Sequence, residues 1–119
     1  MHAQLEVLME IQDLKSQRSE LQETSAERQV EQDVFGIRVE DAIGELDSKI
    51  LEMEGKLEPA VHGRYKRLSG RRGRAVVPVI HGTCYGCFVA VPTALSTSAE
   101  RNDELRYCDH CGRFLYVID

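Results

Sequence analysis

Cys84-Tyr-Gly-Cys87, then a gap of twenty residues, then Cys108-Asp-His-Cys111 followed by Gly112-Arg113: this stretch holds all four cysteines of the chain, as two CxxC pairs. A CxxC pair puts two thiolates on one tight turn, so both sulfurs can reach a single metal. Two such turns supply the four ligands of a closed tetrahedral zinc site. The spacing falls within the range read as zinc-binding. With all four positions taken by Cys84, Cys87, Cys108 and Cys111, no coordination site remains for water or substrate. The pattern therefore predicts one structural zinc ion rather than a catalytic one.

Other uses of four cysteines fit less well. Two disulfides need an oxidising compartment, and the opening MHAQLEVLMEIQDLK lacks the basic and apolar regions of a secretory signal. A redox CxxC expects one such motif in a βαβ setting, whereas here there are two in a strand-rich tail. An iron–sulfur cluster also uses four cysteines. His81 and His110 lie close enough in sequence to offer alternative metal ligands, but four thiolates already complete the set.

Outward from this stretch, the composition splits. Residues 1–61 carry fifteen acidic and six basic side chains, a net of −9; residues 62–119 carry five acidic and nine basic, a net of +4. Only Phe35 among seven aromatics precedes residue 62. The tail is too small to bury a sufficient core unaided, so a metal staple is expected there. No apolar run approaches the length that spans a membrane. The expectation is a soluble, cytoplasmic protein with no membrane partner.

The first half predicts helices. No proline occurs before Pro59 and no glycine before Gly36, and Glu, Gln, Leu and Arg dominate. Val7, Ile11, Leu14 and Leu21 follow a 4-3-7 spacing, with Arg18 at the missing position; Val39, Ile43, Leu46, Ile50, Met53 and Leu57 follow an unbroken 4-3-4-3-4 spacing. Each is a coiled-coil seam. The two seams are out of phase, which a stutter or a turn would explain. Thr24-Ser25-Ala26-Glu27 is a capping-box pattern. These signals predict two helices, about 3–23 and 26–58, folded as an antiparallel hairpin. The alternative is one helix about 87 Å long at 1.5 Å per residue, obliged to dimerise to cover its seams. A homodimer through the helices is expected in that case, and is open for the hairpin through Val30, Val34, Phe35 and Ile37. The acidic excess reads as a solvated exterior, or as a face for a basic partner.

Pro59 is expected to end the second helix. Residues 59–74 then form a basic junction, in which Arg64, Lys66, Arg67, Arg71, Arg72 and Arg74 fall within eleven positions around Tyr65. Such a cluster is a candidate phosphate-binding patch, with Tyr65 available to stack on a base. The competing reading is a linker whose arginines pair with nearby acids.

Residues 75–119 read as a zinc ribbon: two hairpins, each with a CxxC at its turn. Residues 75–80 form a β-rich run in which Pro78 argues for an edge strand or bulge. Residues 88–91 read as the return strand and residues 114–117 as the final one. Gly86 and Gly112 suit the left-handed geometry of knuckle turns. Tyr85, Phe88, Tyr107, Phe114 and Tyr116 are expected to form a mini-core beside the metal. The fold class is thus α plus a small β domain: a coiled-coil helical hairpin over 1–58, the junction over 59–74, and the ribbon over 75–119.

Gly63-Arg64-Tyr65, the run from Arg72 to Val79, Gly82-Thr-Cys-Tyr-Gly-Cys87, Val91-Pro92, Asn102-Asp103-Glu104 and Cys108-Asp-His-Cys-Gly-Arg-Phe-Leu-Tyr116 together resemble the bacterial C4-type zinc-ribbon family with an N-terminal coiled coil. Residues 4–14 resemble the start of its first helix more loosely. The resemblance implies a non-enzymatic adaptor or regulator. Better-known members act in flagellar or type III secretion biology, bind the alternative sigma factor 54, and in one case are linked to flagellin messenger RNA. The coil is much shorter here than is usual in the family.

Three functions follow for comparison. One is a binding module whose ribbon and basic collar contact nucleic acid or a transcription or secretion protein. Another is an RNA polymerase regulator acting through an acidic coiled-coil tip, although the expected tip, residues 23–27, has two glutamates and no aspartate. A purely structural oligomeric coil is the third. An enzyme is not expected, because the cysteines serve the metal and no carboxylate–histidine or Gly-rich phosphate motif appears.

Overall fold

A computed structural model of the chain describes residues 1–27, 32–72, 74–97 and 102–118, and the side chains of these except 24–27, 32–38, 71–72 and 96–97. The elements run α1 (Ala3–Glu27), α2 (Gln32–Glu54), α3 (Pro59–Arg72), β1 (Val76–Ile80), β2 (Thr83–Cys84), α4 (Thr93–Thr97) and β3 (Phe114–Val117). They form two compact units: Met1–Met9 with Leu57–Asp119, and Glu10–Lys56. Among the described residues no helix is long and apolar enough to cross a membrane.

In the unit of residues 10–56, the Arg18 guanidinium bonds the Asp47 carboxylate. That pair lies 29 residues apart, a separation of about 44 Å in one continuous helix. The bond therefore sets α1 beside α2 within one chain. Arg18, the residue that interrupts the first heptad seam, is the partner α1 offers. Along α2 the expected seam is inward: Val39, Ile50 and Met53 are buried, and Ile43 and Leu46 are half-buried. Helix α1 continues through Thr24–Glu27, so the capping-box pattern does not start a second helix. The connection between α1 and α2 lies in 28–31, outside the described residues.

The unit of residues 1–9 and 57–119 begins with a docked N-terminus. His2 caps α1, accepting the Gln4 N–H on its ring Nδ1 at 3.0 Å. The His2 N–H donates to the Asn102 carbonyl at 2.8 Å, and the terminal ammonium meets Asp103 at 3.2 Å. Leu5 and Leu8, which lie outside the heptad seam read from sequence, are fully buried.

Pro59 does not terminate α2, which has already ended at Glu54. It opens α3 instead. A proline at the first helical position loses no hydrogen bond, because that N–H has no partner in any helix, and its fixed φ suits the helix. Glu58 sits just before it; its carbonyl accepts from His62, and its own N–H donates to Gln4 Oε1 at 2.8 Å. The basic junction is therefore a helix. Val61 and Tyr65, four residues apart, form its buried stripe, continued by half-buried Leu68.

The sheet has the order β2-β1-β3. Strand β1 pairs antiparallel with β2, Val79 opposite Cys84, and parallel with β3, from Val76 opposite Phe114 to Val79 opposite Val117. The β1–β2 turn is His81-Gly82, both left-handed at φ 50° and 72°, the geometry whose twist suits a two-residue hairpin. Pro78 thus lies in the central strand, not at an edge. Its carbonyl accepts from Tyr85 N–H on the β2 side. The missing proline N–H faces that same side, where the two-residue β2 ladder has already ended. Bridges Thr83–Ala90 and Tyr107–Phe114 close the two knuckle hairpins, and of residues 88–91 only Ala90 has strand pairing. Val77, Val79, Leu115 and Val117 form one buried cluster with Cys84 and Cys108, so the thiols are part of the core.

Candidate metal centre and basic face

Each CxxC is positioned by a hairpin that begins one or two residues before its first cysteine. In the first, Cys84 N–H donates to Val89 and Phe88 N–H returns to Cys84. In the second, Cys108 N–H donates to Arg113 and Gly112 N–H to Cys108. The two turns repeat one another and bring their thiols face to face. All four sulfurs lie within 4.8 Å of one another, with Cys84–Cys111 and Cys87–Cys108 each at 3.8 Å. A tetrahedron of Zn–S bonds near 2.3 Å has edges of about 3.8 Å. The residues therefore fit one zinc ion, and a closed four-sulfur set makes that zinc structural.

The thiols sit in unequal surroundings. Burial pushes Cys84 up to about 12, and burial likewise raises Cys87. At Cys111 burial acts in the same direction, but it is outweighed by bonds from the Arg113 backbone and side chain and from Cys108 and Cys84, which bring it down to about 7. The Gly86 N–H also points at Cys84 Sγ, 3.4 Å away. His81 and His110 are exposed and are not among the clustered ligands.

The two knuckles differ in the residue that takes the left-handed turn. After its second cysteine the second knuckle has Gly112, left-handed at φ 77°; the first has Phe88, left-handed at φ 61°. Gly86 is not left-handed, contrary to expectation. Its lack of a side chain serves close packing: a Cβ there would lie 3.1 Å from both Val77 methyls and from Arg113 Cδ.

Of the expected mini-core aromatics only Phe114 is buried; Tyr116 is half-buried, and Tyr85, Phe88 and Tyr107 are exposed. The reverse holds for Tyr65, which was expected to offer a stacking face and is only 4% exposed. Its helix position, four residues after Val61, turns it inward.

The basic residues divide by role. Arg64 Nη1 donates to the Gly112 carbonyl at 3.1 Å, and its guanidinium lies 3.7 Å over the Tyr107 ring; it ties α3 to the second knuckle. Lys66, Arg67 and Arg74 are exposed. The Arg71 and Arg72 side chains lie outside the described ones. Arg113, which the sequence did not single out, donates to the Arg74 carbonyl at 3.1 Å and to the Gly86 carbonyl at 3.4 Å. One guanidinium thereby joins the end of the basic segment to the first knuckle. A sequence signal for this face existed: between Glu58 and Glu100 the chain has six arginines and lysines and no acidic residue.

Residues 83–115 match the family model of the C4-type zinc ribbon domain. Two solved structures are similar to the chain. One is the HP0958 protein from Helicobacter pylori, at 22% identity and TM-score 0.63, covering 89% of this chain and 45% of that one. The other is CT398 from Chlamydia trachomatis, at 24% identity and TM-score 0.53, covering 86% of this chain and 45% of that one. These likenesses establish the fold, and this chain spans less than half the length of either. No curated protein matches it.

Proposed function

We propose that the chain is a non-enzymatic regulatory adaptor whose zinc ribbon and basic helix α3 bind nucleic acid, in a role linked to transcription or to flagellar and secretion control. The observation that carries this reading is the basic face: Lys66, Arg67 and Arg74 are exposed in a segment free of carboxylates. The closed zinc site supports the non-enzymatic part, since four thiolates leave the metal no open position. The link to transcription or secretion rests on the resemblance of the ribbon and collar to that family. The helices would add a second contact or a dimer interface.

The test is binding of a labelled single-stranded oligonucleotide across a salt series. If five cations of the collar contact phosphates, affinity falls about a hundredfold between 50 and 200 mM salt. Replacing Lys66, Arg67, Arg71, Arg72 and Arg74 with Ala should abolish most of it. Absent or salt-independent binding would remove this reading.

A second reading, a protein partner, is favoured by a cleft of about 520 Å³ between α3 and the second knuckle. Val61, Leu105, Tyr107 and Phe114 give it an apolar floor, and Arg67 a cationic rim. Normal recovery of a bound protein by the collar variant, with no oligonucleotide binding by the wild type, would favour it.

A further inference from the structure

We infer that the first knuckle is a base-stacking site, in which Tyr85 and Phe88 receive unpaired bases of a single-stranded nucleic acid. This rests on the nucleic-acid reading above and adds to it the residues that grip the bases.

The starting point is Phe88. A bulky residue with positive φ is a backbone outlier, and the left-handed conformation costs an L-residue roughly 1–2 kcal/mol. The knuckle turn demands that conformation after its second cysteine, as Gly112 shows at the equivalent place. Glycine would meet the demand without strain. Nor does the phenylalanine recover the cost by burial, for its side chain is 70% exposed. Its ring contact is with Tyr85, centroids 5.5 Å apart, and Tyr85 is itself 45% exposed. Val89 beside them is also exposed. Among the described residues the partly exposed Tyr85 ring is the aromatic contact Phe88 makes, so the further reward lies in what the two rings meet outside the fold.

The surroundings favour an anionic partner with flat, apolar faces. Arg113 spans from the Gly86 carbonyl, inside the knuckle, to the Arg74 carbonyl at the end of the basic segment. The Arg74 backbone, at the end of the basic segment, is thereby held near Gly86, the residue after Tyr85. Aromatic side chains set beside cations are the elements of single-strand binding: the cations follow the backbone and the rings stack on bases whatever the sequence. Tyr65, buried in α3, cannot fill that role.

The test uses the zinc-loaded full chain and a fluorescein-labelled oligouridylate of about 15 nucleotides, within the usual single-strand site sizes. Phe88→Gly should leave the unfolding midpoint unchanged or raise it, and weaken binding roughly five- to 150-fold, the loss of one stacked base, without changing the salt slope. The chain contains no tryptophan, so Phe88→Trp introduces a single indole, whose fluorescence should be quenched when the oligonucleotide binds. Undiminished binding by Phe88→Gly and an unquenched indole, with steep salt-dependent binding by the wild type, would overturn the stacking site and leave the nucleic-acid function standing. No binding by the wild type would overturn both.

Discussion

The Arg64 guanidinium stacks on Tyr107 and at the same time donates to the carbonyl of Gly112, on the far side of the second cysteine pair. A residue that counts as a phosphate contact in the sequence is thus a strut between α3 and the ribbon. Arg64→Ala should lower the stability of this unit by about 1–2 kcal/mol, the sum of a cation–π contact and a hydrogen bond. Arg64→Lys keeps the charge but not the flat fork, and should recover only part. Thermal unfolding of the zinc-loaded protein measures both. Equal midpoints for wild type and Arg64→Ala would show that the strut carries no stability.

Removal of the metal should unfold one unit and spare the other. Metal binding in such sites supplies about 10–16 kcal/mol of folding free energy in finger peptides, far above what the small ribbon core provides. Chelation, or Cys108→Ser, should unfold residues 75–118 while far-UV circular dichroism retains the helical signal of α1 and α2. Because residues 1–9 belong to the ribbon unit, amide exchange at Leu5 and Leu8 should rise with it. Metal analysis should give one zinc per chain and thiol titration no reactive cysteine before chelation. Four reactive thiols in the native protein would contradict the site.

Zinc affinity should increase with pH. Binding requires thiolates, whereas the thiols of the unfolded, metal-free tail are largely protonated at neutral pH. Each proton released on binding adds about one unit of log K per pH unit. Competition with a chelator of known affinity should show log K rising by more than about one unit per pH unit between about pH 6 and 8. A pH-independent log K would rule out thiolate ligation.

Asn102 should matter more than a polar loop residue ordinarily does. Its side chain accepts from Val117 N–H at 2.9 Å and donates to Val117 C=O at 2.8 Å, completing the outer edge of β3 as a neighbouring strand would. Asn102→Ala leaves two part-buried backbone groups without partners, at a cost of about 2 kcal/mol. Asn102→Asp keeps the acceptor but sets a carboxylate oxygen against the Val117 carbonyl, and should recover little. Urea unfolding of the zinc-loaded protein would rank the three, and a neutral Asn102→Ala would remove this edge from the account.

Local signals in the sequence were reliable where the physics is local. Two CxxC pairs at this spacing can close on one metal with little help from the rest of the chain, and the 4-3 spacing of α2 states its own buried face. Pro59 shows the limit: the same proline can follow one helix or begin another, and the choice depended on where α2 stopped. Pro78 erred in the same way, since its tolerance in a central strand depends on the two-residue length of β2.

What the sequence determined by itself was the metal, its four ligands, the helical first half and the basic character of residues 64–74. The tertiary structure alone decided which of those residues face solvent. It turned Tyr65 inward and Phe88 outward, assigned Arg64 to the fold, and brought Arg113 between Arg74 and Gly86. The physical reason is that composition and short-range periodicity fix what a segment can form. Exposure and pairing, by contrast, arise from contacts between segments far apart in the chain, here the parallel pairing of β1 with β3, which holds both knuckles and the end of α3 in one unit.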